Sequence, residues 1–153
     1  RHEPIEYIIR DVEFRGLSLE QERPVWIPGP ETRDLVDTVL EFKKHWLILS
    51  FSCPKDKDKV HILEVGCGSG AVSLSLLDVN VGVLTYLKGE DNIKILAIDD
   101  SWRALDLARK NFRHIFGKEG EKEGKIKFKR FPYHDFTKKN VKKFDIIISD
   151  PPN

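Results

Sequence analysis

Residues 60–79 read VHILEVGCGSGAVSLSLLDV. VHILEV is an apolar run short enough for a strand, and GCGSG turns it at once into an apolar helix beginning at Ala71. Such a turn needs glycine where φ is positive and where the backbone must approach a ligand with no Cβ in the way. The start of the helix presents free N–H groups and a partial positive charge, suited to a carboxylate or a phosphate. A glycine-rich turn alone is weak evidence, with a purely structural bend as the alternative, so its meaning depends on the rest of the chain.

Downstream the same rhythm continues. KILAID (94–99) is a second strand and feeds SWRALDLARKNFRHIF (101–116). That helix has Leu105, Leu107, Ala108, Phe112 and Ile115 as its buried stripe and Ser101 as its N-cap. GKEGEKEGK (117–125) reads as a polar loop, and KIKFKRF (125–131) alternates strictly, as a third strand half buried or at a sheet edge does. FDIIISD (144–150) is the fourth strand, apolar enough to be buried on both faces. Strands alternating with helices give an α/β fold with a mainly parallel sheet and right-handed crossovers.

Upstream, Tyr7-Ile8-Ile9 and Val12-Glu13-Phe14 read as short extended pieces, punctuated by Gly16, Pro24, Pro28, Gly29 and Pro30. Glu31 to about Ser50 reads as a helix, with Leu35, Val36, Val39, Leu40, Lys43, Trp46 and Leu47 mainly on one face. Cys53-Pro54 and the KDKDK of residues 55–59 form a solvated linker. The expected organisation is a hairpin-like lead-in, helix and linker over 1–59, then the N-terminal half of an α/β domain over 60–153.

Composition narrows the classes. The chain has 153 residues, 40% hydrophobic and 33% charged, and a formal net charge of +1, so no strong field argues for nucleic acid or an acidic membrane. No apolar stretch approaches the roughly 18 residues that span a bilayer. Two cysteines make no disulfide framework and favour a reducing compartment. No metal site is expected. The chain opens on Arg1 and contains no methionine, so it is expected to be a piece of a longer protein with any targeting peptide outside it.

Glu64-Val65-Gly66-Cys67-Gly68-Ser69-Gly70 gains meaning from Asp99, at the C-terminal end of the next strand. An acid there accepts hydrogen bonds from the ribose of a nucleoside cofactor. The pattern is G-x-G-x-G, not the G-x-G-x-x-G of dinucleotide enzymes, and no pyrophosphate is required. S-adenosyl-L-methionine, an adenosine with an amino-acid tail, fits the tighter loop. Glu64 then sits near its ammonium and Asp99 holds its ribose. Asp100 reads as a helix-start acid and Trp102 as an ordinary aromatic. Ligands bind beyond the carboxyl ends of such strands, and Asp150-Pro151-Pro152 falls there. The prolines stop the strand and leave the Asp150 carboxylate and nearby carbonyls as acceptors for a planar N–H2 group.

An (N/D)-P-P-(aromatic) tetrapeptide in this place resembles that of the amino-methyltransferases. EPIEYI (3–8), FRGL (14–17) and IPGPET (27–32) are similar to segments of the HemK family, the release factor glutamine methyltransferases. LEVGCGSGAVSLSLL (63–77) resembles the eukaryotic, mitochondrial members. The resemblance covers nearly the whole chain. It implies a Rossmann-like class I S-adenosylmethionine-dependent methyltransferase sheet, truncated after its fourth strand. It also implies methylation of the glutamine side-chain amide in the Gly-Gly-Gln loop of a peptide chain release factor. The implied catalytic and substrate-binding residues are Asp150, Pro151 and Pro152, joined by Asn153 on the substrate. The implied cofactor residues are Glu64, Gly66, Cys67, Gly68, Gly70, Asp99 and, near the adenine, Asp135. Three positions depart from the pattern: the family's Arg is Gly29, its catalytic Asn is Asp150, and its Tyr is Asn153.

The implied reaction is an in-line displacement at a sulfonium methyl. It needs no acid to expel sulfur, only acceptors that orient the amide lone pair, a contribution of roughly 7–11 kcal/mol in well-held geometries. No general-base role is assigned to His61, His114 or His134. Two rivals stand beside this reading. Asp150 also suits an N6-adenine nucleic-acid methyltransferase, although Asn153 offers no ring for a flipped base. The other rival is a truncated, inactive cofactor-binding module; the fragment alone is expected to be poorly stable and inactive, its fourth strand lacking a neighbour. The expected state is a monomer without membrane or direct nucleic-acid partners. The compartment implied by resemblance is the mitochondrion, otherwise the cytoplasm.

Overall fold

A computed structural model of the chain describes residues 2–50, 60–78, 93–132 and 144–151, with the side chains of 43–50 and 119–123 left aside. The linker at 53–59, His134 and the site candidates Asp135, Pro152 and Asn153 lie outside the described residues.

Four strands form a parallel sheet: β3 (Val60–Val65), β4 (Ile93–Asp99), β5 (Ile126–Arg130) and β6 (Ile146–Ser149), in the order β5-β4-β3-β6. The pairing sets Leu63 beside both Leu96 and Ile147, and Ala97 beside Phe128, so the two inner strands are apolar on both faces. Two helices follow the inner strands, α3 (Ala71–Leu77) after β3 and α4 (Trp102–Glu123) after β4. The Ser101 hydroxyl caps α4 by accepting from the Ala104 N–H. Leu105, Leu107, Ala108 and Phe112 are buried as the stripe requires, while Ile115 is partly buried.

Ahead of the sheet, β1 (Asp11–Phe14) and β2 (Leu17–Glu20) pair antiparallel around Arg15-Gly16. The long helix α2 (Pro30–Ser50) follows them, and Val36, Val39 and Leu40 are buried on its inner face. These side chains join Phe14, Leu19, Ile62, Leu74 and Phe112 in one hydrophobic cluster. The hairpin is tied down by Asn111, which is 0% exposed. Its Oδ1 accepts the Glu20 N–H at 2.7 Å, and its Nδ2 donates to the Glu20 carbonyl at 3.1 Å and the Ser69 carbonyl at 2.9 Å.

Three sequence expectations are overturned. Tyr7-Ile8-Ile9 is not extended but part of a one-turn helix, α1 (Ile5–Ile9), which stops at Arg10 in the left-handed region (φ 58). β-branched residues there do not enforce a strand because no sheet partner is offered, and Ile5, Ile8 and Ile9 remain exposed. The predicted loop at 117–125 is mostly helix. α4 kinks at Gly117 (φ 65, ψ −170) and continues to Glu123, because the lysines and glutamates between the glycines are good helix formers. Finally, β6 is not buried on both faces: Ile148 is buried, but Ile147 is 46% exposed. Among the described residues β6 pairs with β3 alone, so one edge lacks the neighbour that would cover it. β5 does lie at the opposite border of the sheet, as its alternation predicts.

Candidate active site

The carboxyl ends of β3 and β4 are stitched together at the glycine turn. The Gly66 and Cys67 N–H groups both donate to the Ile98 carbonyl, at 2.8 and 3.0 Å. The Asp99 carboxylate is held from two sides, Oδ2 by the Gly68 N–H at 3.0 Å and Oδ1 by the Ser101 N–H at 2.9 Å. A carboxylate offers about four lone-pair sites, so this geometry fixes Asp99 and still leaves it able to accept.

Above the turn opens a cavity of about 560 Å³. Glu64, Gly66, Cys67, Gly68, Asp99, Asp150 and Pro151 all line it, so the sequence candidates within the described residues converge on one place, Gly70 excepted. Gly70 is at the N-cap of α3 with φ 84, and a Cβ there would stand 3.2 Å from the Ala108 Cβ. Its place is the packing of α3 against α4, not the cavity wall. His61 and His114 also lie elsewhere; the His61 N–H donates to Asp145 Oδ2 at 2.9 Å across β3 and the start of β6.

Electrostatically the wall is one-sided. Glu64, Asp99, Asp100 and Asp150 line the cavity, and no Lys, Arg or His is among its described lining residues. Glu64 is 3% exposed and accepts a short hydrogen bond from the Ser73 hydroxyl. Burial pushes its carboxyl up to about 8, aided by the negative charges of Asp99 and Asp150 and opposed by the Ser73 hydrogen bonds. Burial, with Glu64 and Asp99 nearby, likewise pushes the Cys67 thiol well above its ordinary range, so that it is an apolar wall and not a nucleophile.

Sequence reasoning missed several residues of the wall. Asp100, set aside as a helix-start acid, lines the cavity, as does Phe131 just past β5. Trp102, read as ordinary, is exposed outside the cavity. Pro24, Val25, Trp26, Pro28 and Thr32 bring the lead-in over the glycine turn, where Val25 also packs on Ala104 and Leu107. Thr32 donates to Asp150 Oδ2 at 2.5 Å. Its only trace in the sequence is its membership of the IPGPET segment.

A parallel sheet whose strand ends, glycine turn and acid share one ligand-sized cavity is the architecture of the Rossmann-like methyltransferases. Two of the solved structures that match the chain show the same fold. A Plasmodium falciparum protein described as a protein-L-isoaspartate O-methyltransferase, in complex with S-adenosyl-L-homocysteine, matches at TM-score 0.57 and 15% identity, over 95% of this chain and 56% of that one. The N-terminal domain of human METTL16, also in complex with S-adenosyl-L-homocysteine (SAH), matches at 0.55 and 16%, over 90% and 47%. Residues 56–152 match the family described as a methyltransferase domain, and the chain belongs to that family. Among curated proteins it is 37% identical over 114 residues to the human MTRF1L release factor glutamine methyltransferase, covering 73% of this chain and 29% of that protein. It is 32% identical over 152 residues to the Lactococcus lactis release factor glutamine methyltransferase, covering 99% and 44%. A Streptococcus pneumoniae protein of the same name is 31% identical over 155 residues, covering 99% and 43%. The chain thus spans less than half the length of these relatives.

Proposed function

We propose that the protein carrying this chain is an S-adenosyl-L-methionine-dependent methyltransferase acting on the glutamine side-chain amide of the Gly-Gly-Gln loop in a peptide chain release factor. The observation that carries the reading is the shared cavity, with the Gly66–Gly68 turn and Asp99 at one part of its wall and Asp150-Pro151 at another. The names of the curated relatives supply the substrate.

The residues present fit this cofactor. Asp99, Asp100 and Asp150, with no facing cation among the described lining residues, repel a pyrophosphate and attract a sulfonium and an ammonium, and Glu64 adds a fourth negative charge once a cation draws off its proton. Asp99, fixed by two backbone N–H groups, retains capacity for ribose hydroxyls. Glu64 would face the ammonium, and Asp100 and Phe131, with Asp135, would border the adenine. When bound, S-adenosylmethionine supplies an electrophilic methyl group. The task left to the chain is to hold a weakly nucleophilic amide. Asp150, as an acceptor only, takes one N–H of the substrate, and the Pro151 carbonyl is assigned the other. Pro152 and Asn153 are assigned to the same substrate from the sequence pattern alone. The amide lone pair is thereby turned towards the methyl group, a contribution that rests on orientation.

The partner proposed is the release factor itself, met by a monomer, and the mitochondrion is the compartment that the resemblance of residues 63–77 supports. The acid at position 150 also favours a second reading, methylation of an adenine amino group in nucleic acid. One assay separates the readings. Full-length protein is given labelled S-adenosylmethionine with a Gly-Gly-Gln peptide, a Gly-Gly-Ala peptide or an adenine-containing oligonucleotide. Label on the first alone is the expected result, and label on the third alone transfers the assignment to nucleic acid. Calorimetric binding of S-adenosylmethionine with no transfer to any acceptor marks a binding module, and no binding removes the cofactor reading.

A further inference from the structure

Thr32 lies in the first turn of α2, is 5% exposed and borders the cavity. Its oxygen accepts the Gly29 N–H at 3.3 Å, and its hydroxyl stands 2.5 Å from Asp150 Oδ2. A hydroxyl has one hydrogen to give, and an ionised carboxylate can only accept, so the direction of this relay is set: Gly29 N–H to Thr32 Oγ1, and Thr32 O–H to Asp150 Oδ2. Asp150 follows directly on the last residue of β6, Ser149, whose hydroxyl donates to the Val65 carbonyl at 3.2 Å. Backbone and side chain of Asp150 are therefore anchored to different elements, the former to β3 through Ser149 and the latter to α2 through Thr32.

We propose that Thr32 is the positioning residue for Asp150, occupying Oδ2 so that Oδ1 is the oxygen presented to an N–H2 donor of the substrate. This rests on the methyl-transfer reading of the same cavity. Its consequence is selectivity by hydrogen-bond type. A carboxylate held with one oxygen already engaged welcomes an amide or amino N–H2 and repels a second carboxylate, so a glutamine is accepted where a glutamate is refused. The lead-in is then part of the reaction centre, because the residue that aims the acceptor comes from α2 and not from the sheet.

The test uses full-length protein carrying Thr32→Val, which keeps the side-chain volume and removes the donor, and Thr32→Ser, which restores it. In Thr32→Val, kcat for a Gly-Gly-Gln peptide is expected to fall on the order of 10- to 100-fold. The dissociation constant for S-adenosylmethionine should stay near wild type while the melting temperature falls by a few degrees with the two lost hydrogen bonds, and Thr32→Ser should recover most of the rate. Crystal structures should show the Asp150 carboxylate turned in the valine variant and restored in the serine variant. An unchanged kcat in Thr32→Val, a serine variant as slow as the valine one, or an unmoved carboxylate overturns the proposal. If the wild-type protein transfers no methyl group, the functional reading fails, yet the carboxylate orientation still decides the role of Thr32. Should Thr32→Val not fold, Thr32→Ala is read by the same two measurements.

Discussion

Glu64 is a carboxyl group lying beneath the glycine turn, satisfied by Ser73 and facing two other acids across the cavity. Held at about 8, it keeps its proton at neutral pH while the site is empty. A cation brought against it favours the carboxylate, so binding should expel that proton. Calorimetric titration with S-adenosylmethionine at neutral pH, in two buffers of different ionisation enthalpy, should give heats that differ by up to about one proton released, a difference that Glu64→Gln abolishes. Stability moves the same way. The folded value lies above the ordinary 4.5, so between the two the folded chain holds a proton that the unfolded chain has lost. The stabilisation is complete below 4.5 and disappears as pH rises through about 8. The denaturation midpoint of the ligand-free protein should therefore fall over that window, with Glu64→Gln flattening the profile; a midpoint that rises would contradict the assignment.

Elements meet at Gly70 and Asn111. Gly70 starts α3 at φ 84 with Ala108 close behind it, so Gly70→Ala suffers both left-handed backbone and contact. A loss of about 1–3 kcal/mol in unfolding free energy is expected. Gly66 also has positive φ but open space around a Cβ, so Gly66→Ala should cost less than Gly70→Ala in the same denaturation series. Asn111→Ala leaves the Glu20 N–H and the Glu20 and Ser69 carbonyls without their buried partner, and about 2–4 kcal/mol of destabilisation follows. At this scale the sequence is legible wherever a period or a cap acts locally. Ser101 and the stripe of α4 announce themselves, and so does the alternation of β5. α1 and the second part of α4 do not, because isoleucines without a sheet partner and glycines among helix formers send conflicting signals.

Over its 153 residues the chain has a formal net charge of only +1, yet its cavity gathers four acids. The field that selects a ligand is thus local, set by the fold and not by composition. Affinity for S-adenosylmethionine should weaken several-fold as salt rises from about 0.05 M to about 0.5 M, and that for SAH, which lacks the sulfonium charge, should weaken less. Equal salt dependence of the two, measured by calorimetry, would show that the acids do not read charge. The alternation of strands and helices from residue 60 onward, the glycine turn, Asp99 and the Asp150-Pro151 stop were determined by the sequence alone, since each follows from side-chain period, φ or chain stiffness within a few residues. What only the tertiary structure decided is who partners them. The Thr32–Asp150 bond joins residues 118 apart, and the Asn111–Glu20 bonds join residues 91 apart. The proton on Glu64 depends on burial by several elements at once. Contacts between distant segments leave no periodic mark on either of them, because the geometry that makes them comes into being only when the core closes.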